Sequence, residues 1–398
     1  MNTETGVAAM KINLVMIVRN EERCLKRCLE AAASFVDEII LVDTGSEDGT
    51  LEAAEAFGMN SSVPVMVYTF PWTNDFAAAR NYAMEKSETD GEADYHLVLD
   101  ADETMRVTAH SSRTALEDFI RRMEEQHGSA WCGAIRLFEQ FRGEAGEPDT
   151  GILLVPRIFP AGIRYKGIIR EQPDTDVPCI SSSIAADHDD SGREAKNERD
   201  LPLLLRAFSA APSDPYQACQ MALIYRKMGR LKESLPYFSL FYQEVLKAYP
   251  DISDRTPYPQ YYIRNGIIEY LYTLMNLRQE TYLNKALHIA VRQEPHMQEC
   301  ADFYYFCGLF YMNLVTANTQ QYITYLPRVE QSFVHCLQIG EHPDRSIVIG
   351  TGSFKAFYNL GRWYELTGQM DHAKVCYESA ARMNYEPAIR RTELLEGR

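Results

Sequence analysis

Along the first hundred positions, apolar residues fall into short unbroken runs separated by stretches in which they recur every three or four residues. The runs at 12–18, 38–42, 63–69 and 95–99 read as buried strands, and the periodic stretches at 20–33, 48–57 and 74–86 read as helices, with Gly58 as a stop for the second. Strands alternating with helices in this way predict a mainly parallel, three-layer α/β sheet. In such sheets ligands gather beyond the carboxyl ends of the strands, and here those ends carry Arg19, Asp43 and Asp100.

Past Asp102 the pattern changes. Segments 130–140 and 151–159 read as longer strands joined by an acidic, Gly- and Pro-containing loop at 142–150, which suggests a hairpin. Segment 164–172 reads as extended, and 184–189 ends the sheet. The highly charged stretch 189–200, with Ser191-Gly192 inside it, marks a domain boundary, giving an α/β domain over 1–195 and a helical domain over 196–398.

In the helical half a repeat emerges. Phe357, Leu360, Gly361, Tyr364, Ala373, Tyr377 and Ala380 keep the spacing of a tetratricopeptide repeat, and Tyr225, Gly229 and Phe238 keep the same register in an earlier copy. Segments 304–314 and 329–337 supply a more degenerate pair between them. Repeats of this kind present extended binding surfaces, so the helical half is expected to engage a partner.

Composition narrows the partners. A formal charge of −16 over 398 residues disfavours a nucleic-acid backbone but permits a ligand with few phosphates. No apolar run is long enough to span a bilayer, and the N-terminus lacks the basic start and apolar core of a signal peptide. Nine scattered cysteines fit a reducing compartment, so a cytoplasmic location is expected. Cys24 and Cys28, four apart, read as helix-face cysteines rather than metal ligands.

The candidate chemistry centres on Asp100-Ala101-Asp102, which closes the fourth strand. Two carboxylates with one residue between them on extended chain share a face, an arrangement suited to a divalent cation that also holds a diphosphate. Asp43, ending the second strand, can accept the imide N–H of a uracil or cap the next helix, a task for which Asp48 is better placed. Arg80 can meet a diphosphate in bidentate fashion or pair with Asp75.

Four segments carry a family resemblance: 17–22 (IVRNEE), 42–50 (VDTGSEDGT), 74–81 (NDFAAARN) and 100–103 (DADE). In that order and spacing they resemble the nucleotide-sugar glycosyltransferases of family 2, which have the Rossmann-like GT-A fold. With helical repeats behind them, the chain is similar to the bacterial branch that includes the peptide S-glycosyltransferases of the sublancin type. The resemblance implies a UDP-sugar donor, Mn2+ or Mg2+, and inverting transfer to a peptide Cys or Ser side chain or to a glycan. It implies a nucleotide-sugar site made of Val18, Arg19, Glu22, Asp43, Asp75, Arg80, Asp100 and Ala101, although Asp75 reads equally well as a helix cap. Asp100 then lies near the ribose and Asp102 holds the metal, with His188, otherwise a lone surface histidine, as a second metal ligand.

Glu171 is the implied general base, with pairing to Arg170 or Arg164 as its structural alternative; Arg170 stands where this branch commonly has histidine. Two other classes compete. A nucleotidyltransferase is disfavoured because 18–22 contains no glycine. A non-catalytic nucleotide-sugar-binding repeat module is the runner-up. Acidic repeat proteins can also pair through their end helices, which leaves a homodimer open.

Overall fold

The computed structural model describes residues 10–143, 148–189, 193–250, 256–258 and 260–397. The N-terminal segment 1–9, the middle of the expected hairpin loop at 144–147 and the boundary pair Ser191-Gly192 lie outside the described residues. The chain divides into two compact units, one over 1–193 with 344–346, the other over 194–343 with 347–398.

The first unit opens with β1 (Ile12–Val18), α1 (Leu25–Ala32), β2 (Glu38–Asp43), α2 (Thr50–Asn60), β3 (Val65–Thr69), α3 (Phe76–Thr89) and β4 (Tyr95–Val98). It continues with β5 (Glu103–Met105), α4 (Arg113–His127), β6 (Cys132–Arg142), β7 (Pro148–Pro160), β8 (Tyr165–Lys166), β9 (Gln172–Pro173) and β10 (Cys179–His188). The main sheet runs β3-β2-β1-β4-β7-β6-β10-β5. Its first four strands are parallel. Beyond β4 the sheet is mixed: β7 is antiparallel to β4 and β6, β10 is parallel to β6, and β5 is antiparallel to β10.

Successive residues of β1 feed opposite layers, as strand geometry requires. Leu14 and Met16 pack with Leu25, Leu29, Leu116 and Phe119 from α1 and α4, whereas Val15 packs with Ala77, Ala83 and Met84 of α3. Ile12, Leu14, Val15 and Met16 are fully buried, a gross gain on the order of 6–10 kcal/mol. The alanines at the start of α3 let that helix lie close to the sheet.

The strands of the first hundred residues are parallel, as their alternation with helices predicts, and the antiparallel pairs come in after β4; two elements escaped the sequence pattern. Helix α4 presents only Leu116, Phe119, Ile120 and Met123 to the core among many charges. Strand β5 has three residues, too few to show a period. It, not β10, is the end of the sheet path. Gly58 is no stop: α2 runs to Asn60, and a Cβ at Gly58 meets Val65 only at ordinary contact distance (3.5 Å).

The second unit is all helical in its main elements: α5 (Arg193–Ala210), α6 (Pro215–Lys227), α7 (Leu231–Ala248), α8 (Tyr261–Asn276), α9 (Glu280–Gln293), α10 (Ala301–Ala317), α11 (Thr319–Tyr322), α12 (Leu326–Ile339), α13 (Phe354–Leu366), α14 (Met370–Ala381) and α15 (Glu386–Leu395). The aligned repeat copies make the same turn. In one, the N–H groups of Met228, Gly229 and Arg230 bond to the carbonyls of Ile224, Arg226 and Tyr225; in the other, those of Thr367, Gly368 and Gln369 bond to Trp363, Glu365 and Tyr364. Gly229 (φ 73°) and Gly368 (φ 78°) supply the left-handed residue that this turn needs. Within the helix pairs, Gly361 and Gly308 lie where an added Cβ would meet the rings of Tyr377 (2.8 Å) and Phe333 (2.6 Å). The helices α8 and α9 were unread in the sequence; in α8, Gly266 lies against Cys219 of α6 and Phe241 of α7, so here the close approach is to the preceding helix pair.

Candidate active site

Because β1, β2 and β4 are parallel neighbours, the segments leaving them emerge along one edge of the sheet. The first two are laced together. Val18 is buried, and its carbonyl accepts both the N–H and the hydroxyl of Thr44 at 3.0 Å. Asn20 donates its N–H to Ser46 Oγ (3.0 Å) and accepts from the Glu47 N–H (2.8 Å). Glu22 accepts from the Gly49 N–H (3.2 Å), and Asp48 accepts from the Glu22 N–H (3.3 Å). A Cβ at position 49 would sit 2.7 Å from the Glu22 carboxylate, so a side chain there would displace that carboxylate from the Gly49 N–H.

Asp43 is nearly sealed, at 3% exposure, and its oxygens accept the N–H groups of Gly45 and Ser46 (3.0–3.2 Å). It shapes its turn and presents little free edge. Arg19 is exposed on the same platform. Asp48 lies one residue outside the cap position: Gly49 is the N-cap of α2, while Asp48 binds the Thr50 N–H (3.1 Å).

Asp75 caps α3, accepting the Ala78 N–H at 2.9 Å, the structural option left open by the sequence. Arg80 on the same helix does not pair with Asp75. Its Nη2 donates to Asp100 Oδ1 (2.8 Å) and its Nε to Glu171 Oε1 (2.7 Å). Glu171 therefore pairs with Arg80 rather than with Arg170 or Arg164. Arg157 of β7, which no motif drew attention to, donates through Nη2 to Asp100 Oδ2 (2.7 Å) and to Glu103. Burial would lift the Asp100 pKa, but the charges of Arg80 and Arg157 outweigh it and hold that carboxyl well below its usual range. For Glu103 burial wins, and its pKa is raised.

The charges of this cluster differ in reach. The side chains of Arg80, Arg157, Glu103 and Glu171 are 4%, 9%, 2% and 11% exposed, whereas that of Asp100 keeps 38%. Among the described residues, Glu171 Oε2 has no hydrogen-bond partner. Arg80 Nη1 and Arg157 Nε are sealed without one.

Asp102 and His188 are brought together by β5. Its antiparallel register with β10 sets His188 opposite Glu103, the residue after Asp102, and the Asp189 N–H bonds to the Asp102 carbonyl (2.8 Å). His188 Nε2 lies 3.4 Å from Asp102 Oδ2, and Nδ1 lies 3.5 Å from Glu139 Oε1. Burial depresses the His188 pKa, but the bond to Asp102 and the charges of Asp102, Glu139 and Glu103 outweigh it, for a net rise. Ala101 between the two aspartates is buried and packs into the core.

No group of three or more His, Cys, Asp or Glu side chains able to hold a metal occurs among the described residues. Of this pair the Asp102 carboxylate is the donor type suited to Mn2+ or Mg2+, and a cation there would need further oxygen ligands such as substrate phosphates. Cys24 and Cys28 form no such site, and all nine cysteines are free thiols.

The expected residues thus form three groups: the Val18, Arg19, Glu22 and Asp43 platform; Arg80 with Asp100 and Glu171; and Asp102 with His188. Asp75 stands apart as a cap. Sequence reasoning missed Arg157 and Glu139, and gave Glu103 no role although it closes the 100–103 segment. Arg157 was readable in one respect, as a lone charge inside the apolar strand 152–159 that needed a buried partner.

Residues 14–187 match the family model for glycosyl transferase family 2. The N-terminal unit is a family 2 glycosyltransferase domain of mixed α/β, Rossmann-like architecture, followed by a helical repeat region. Over 104 residues the chain is 40% identical to a TPR repeat-containing protein of Synechococcus elongatus, a stretch that covers 26% of this chain and 23% of that protein. The chain thus matches less than a quarter of that relative's length.

Among solved structures, MamA is similar at 14% identity and TM-score 0.36, over 49% of this chain and 93% of that one. YrrB, a TPR protein with an unusual peptide-binding site, is similar at 14% identity and TM-score 0.35, over 50% and 86%. No helix among the described residues is long and apolar enough to cross a membrane.

Proposed function

We propose that this chain is an inverting glycosyltransferase that moves a sugar from a UDP-sugar to a nucleophile on a peptide (Cys or Ser) or a glycan, with the repeat unit engaging the acceptor. The observation that carries the reading is the pairing of Asp100 and Glu171 through one buried arginine at the exit of β4. In this reading the 18–22 and 43–50 platform receives the nucleoside, and the open edge of Asp100 faces the donor. Glu171 Oε1 is held by Arg80, which leaves Oε2 to take a proton. As the acceptor atom bonds to the anomeric carbon, its proton passes to Glu171, and the bond from that carbon to the diphosphate oxygen breaks with its electron pair leaving on the nucleotide. Asp102 and His188 would hold a divalent cation, which when bound stabilises charge on the departing diphosphate.

Titration of UDP with and without Mn2+, followed by UDP release from UDP-glucose and UDP-N-acetylglucosamine, tests the proposal. Binding and release that both need the metal are expected. Tight binding without release from any donor, in the presence of a broad peptide and glycan acceptor pool, favours a non-catalytic sensing module instead.

A further inference from the structure

Arg80 and Arg157 sit under the site rather than in it. Their guanidinia are all but sealed, while the Asp100 carboxylate between them keeps 38% of its side-chain surface open. An arginine that bound a diphosphate directly would need an open edge; here Arg80 Nη1 and Arg157 Nε are closed off, and Arg80 Nε, Arg80 Nη2 and Arg157 Nη2 are all spent on carboxylates. Each oxygen of Asp100 is met by a different arginine, which fixes both its position and its rotation. The same guanidinium of Arg80 then reaches Glu171, 71 residues from the donor-side strand end in sequence, and sets its spacing from Asp100.

We infer that Arg157, together with Arg80, is a positioning residue: the two guanidinia hold the donor-side carboxylate of Asp100 and the acceptor-side carboxylate of Glu171 in fixed register without touching the nucleotide. The inference rests on the proposed reading of Glu171 as the base. It removes Arg80 from the diphosphate contacts and adds a residue that the motifs do not include. Tyr165 completes the support, with the Arg80 guanidinium 5.5 Å from its ring centre. Both arginines are rigid forks, so lysine preserves the charge and loses the double attachment.

The test uses the full-length chain and two readouts. In the first, UDP and uridine are titrated into wild type, Arg80→Lys and Arg157→Lys with Mn2+, and donor turnover is measured in parallel. Positioning predicts UDP and uridine affinities within about twofold of wild type and kcat lower by about 10- to 100-fold. A UDP affinity that falls tenfold or more while uridine is unaffected overturns the inference, because it marks a direct phosphate contact. In the second, crystal structures of Arg157→Met and Arg157→Lys are compared with wild type. An Asp100 carboxylate rotated away from its wild-type plane supports the positioning role, and an unmoved one sinks it. This arm is independent of the donor, so a wild-type chain that binds no nucleotide would count against the proposed function and leave the arginine assignment to be decided crystallographically.

Discussion

Residue roles in this unit are set less by residue type than by who shares the burial. Asp100 and Asp102 are two residues apart, yet one is clamped by two guanidinia and the other faces a histidine. Asp102→Asn keeps the shape and loses the charge; it is expected to abolish metal-dependent UDP release while leaving the melting temperature within a few degrees. Full activity of this variant in the presence of a chelator would show that the pair plays no such part. Glu171→Gln retains an oxygen for Arg80 but no longer accepts a proton. Turnover should drop by about 100-fold or more with UDP affinity unchanged, and calorimetry beside a release assay reads both. A thiol acceptor would soften that loss, since thiols are partly ionised at neutral pH.

Elements of the helical unit are held by close approach of glycine to aromatic rings. Alanine at Gly308 or Gly361 gains about 1 kcal/mol of helix propensity, but its Cβ would press on the ring of Phe333 (2.6 Å) or Tyr377 (2.8 Å). Overpacking wins, and a net loss of about 1–2 kcal/mol is expected from denaturant midpoints. Gly58→Ala in α2 is the contrast: only Val65 at 3.5 Å is near, so that change should stabilise by roughly 0.5–1 kcal/mol.

A second test at this scale concerns Asp302, at the start of α10. Burial lifts its pKa to about 6, although bonds from Thr351 and the Val348 N–H favour the charged form. Below the ordinary value of 3.8 both folded and unfolded chains hold the proton. Between that value and about 6 only the folded chain does, so stability falls as pH rises through this window, by on the order of 3 kcal/mol in all. Asp302→Asn can keep these bonds through Oδ1, which accepts both. It should flatten the dependence and raise the denaturant midpoint at pH 7; equal slopes in variant and wild type would refute it.

For the whole molecule, charge is divided unevenly. The net −16 lies entirely within residues 1–193, and residues 194–398 carry acidic and basic side chains in equal number. Self-repulsion should therefore weaken the first unit alone at low salt. Raising NaCl from about 0.02 to about 0.3 M is expected to lift its calorimetric transition more than that of the helical unit.

What the chain alone determined is local. Unbroken apolar runs specify β1, β2 and β4, because a strand buried on both faces leaves no other pattern, and the Tyr-to-Gly spacing of 225–229 and 364–368 specifies a turn that needs a left-handed residue. The loop motifs were equally legible, since the residues of 18–22 and 43–50 bond mainly to one another. The rest depended on strands meeting out of sequence order. Three-residue β5 carries no period of its own, yet its antiparallel pairing with β10 is what sets His188 beside Asp102. Likewise, β7 lying beside β4 delivers Arg157 to Asp100. Long-range pairing leaves no periodic trace in either partner, so these contacts exist only once the sheet has formed.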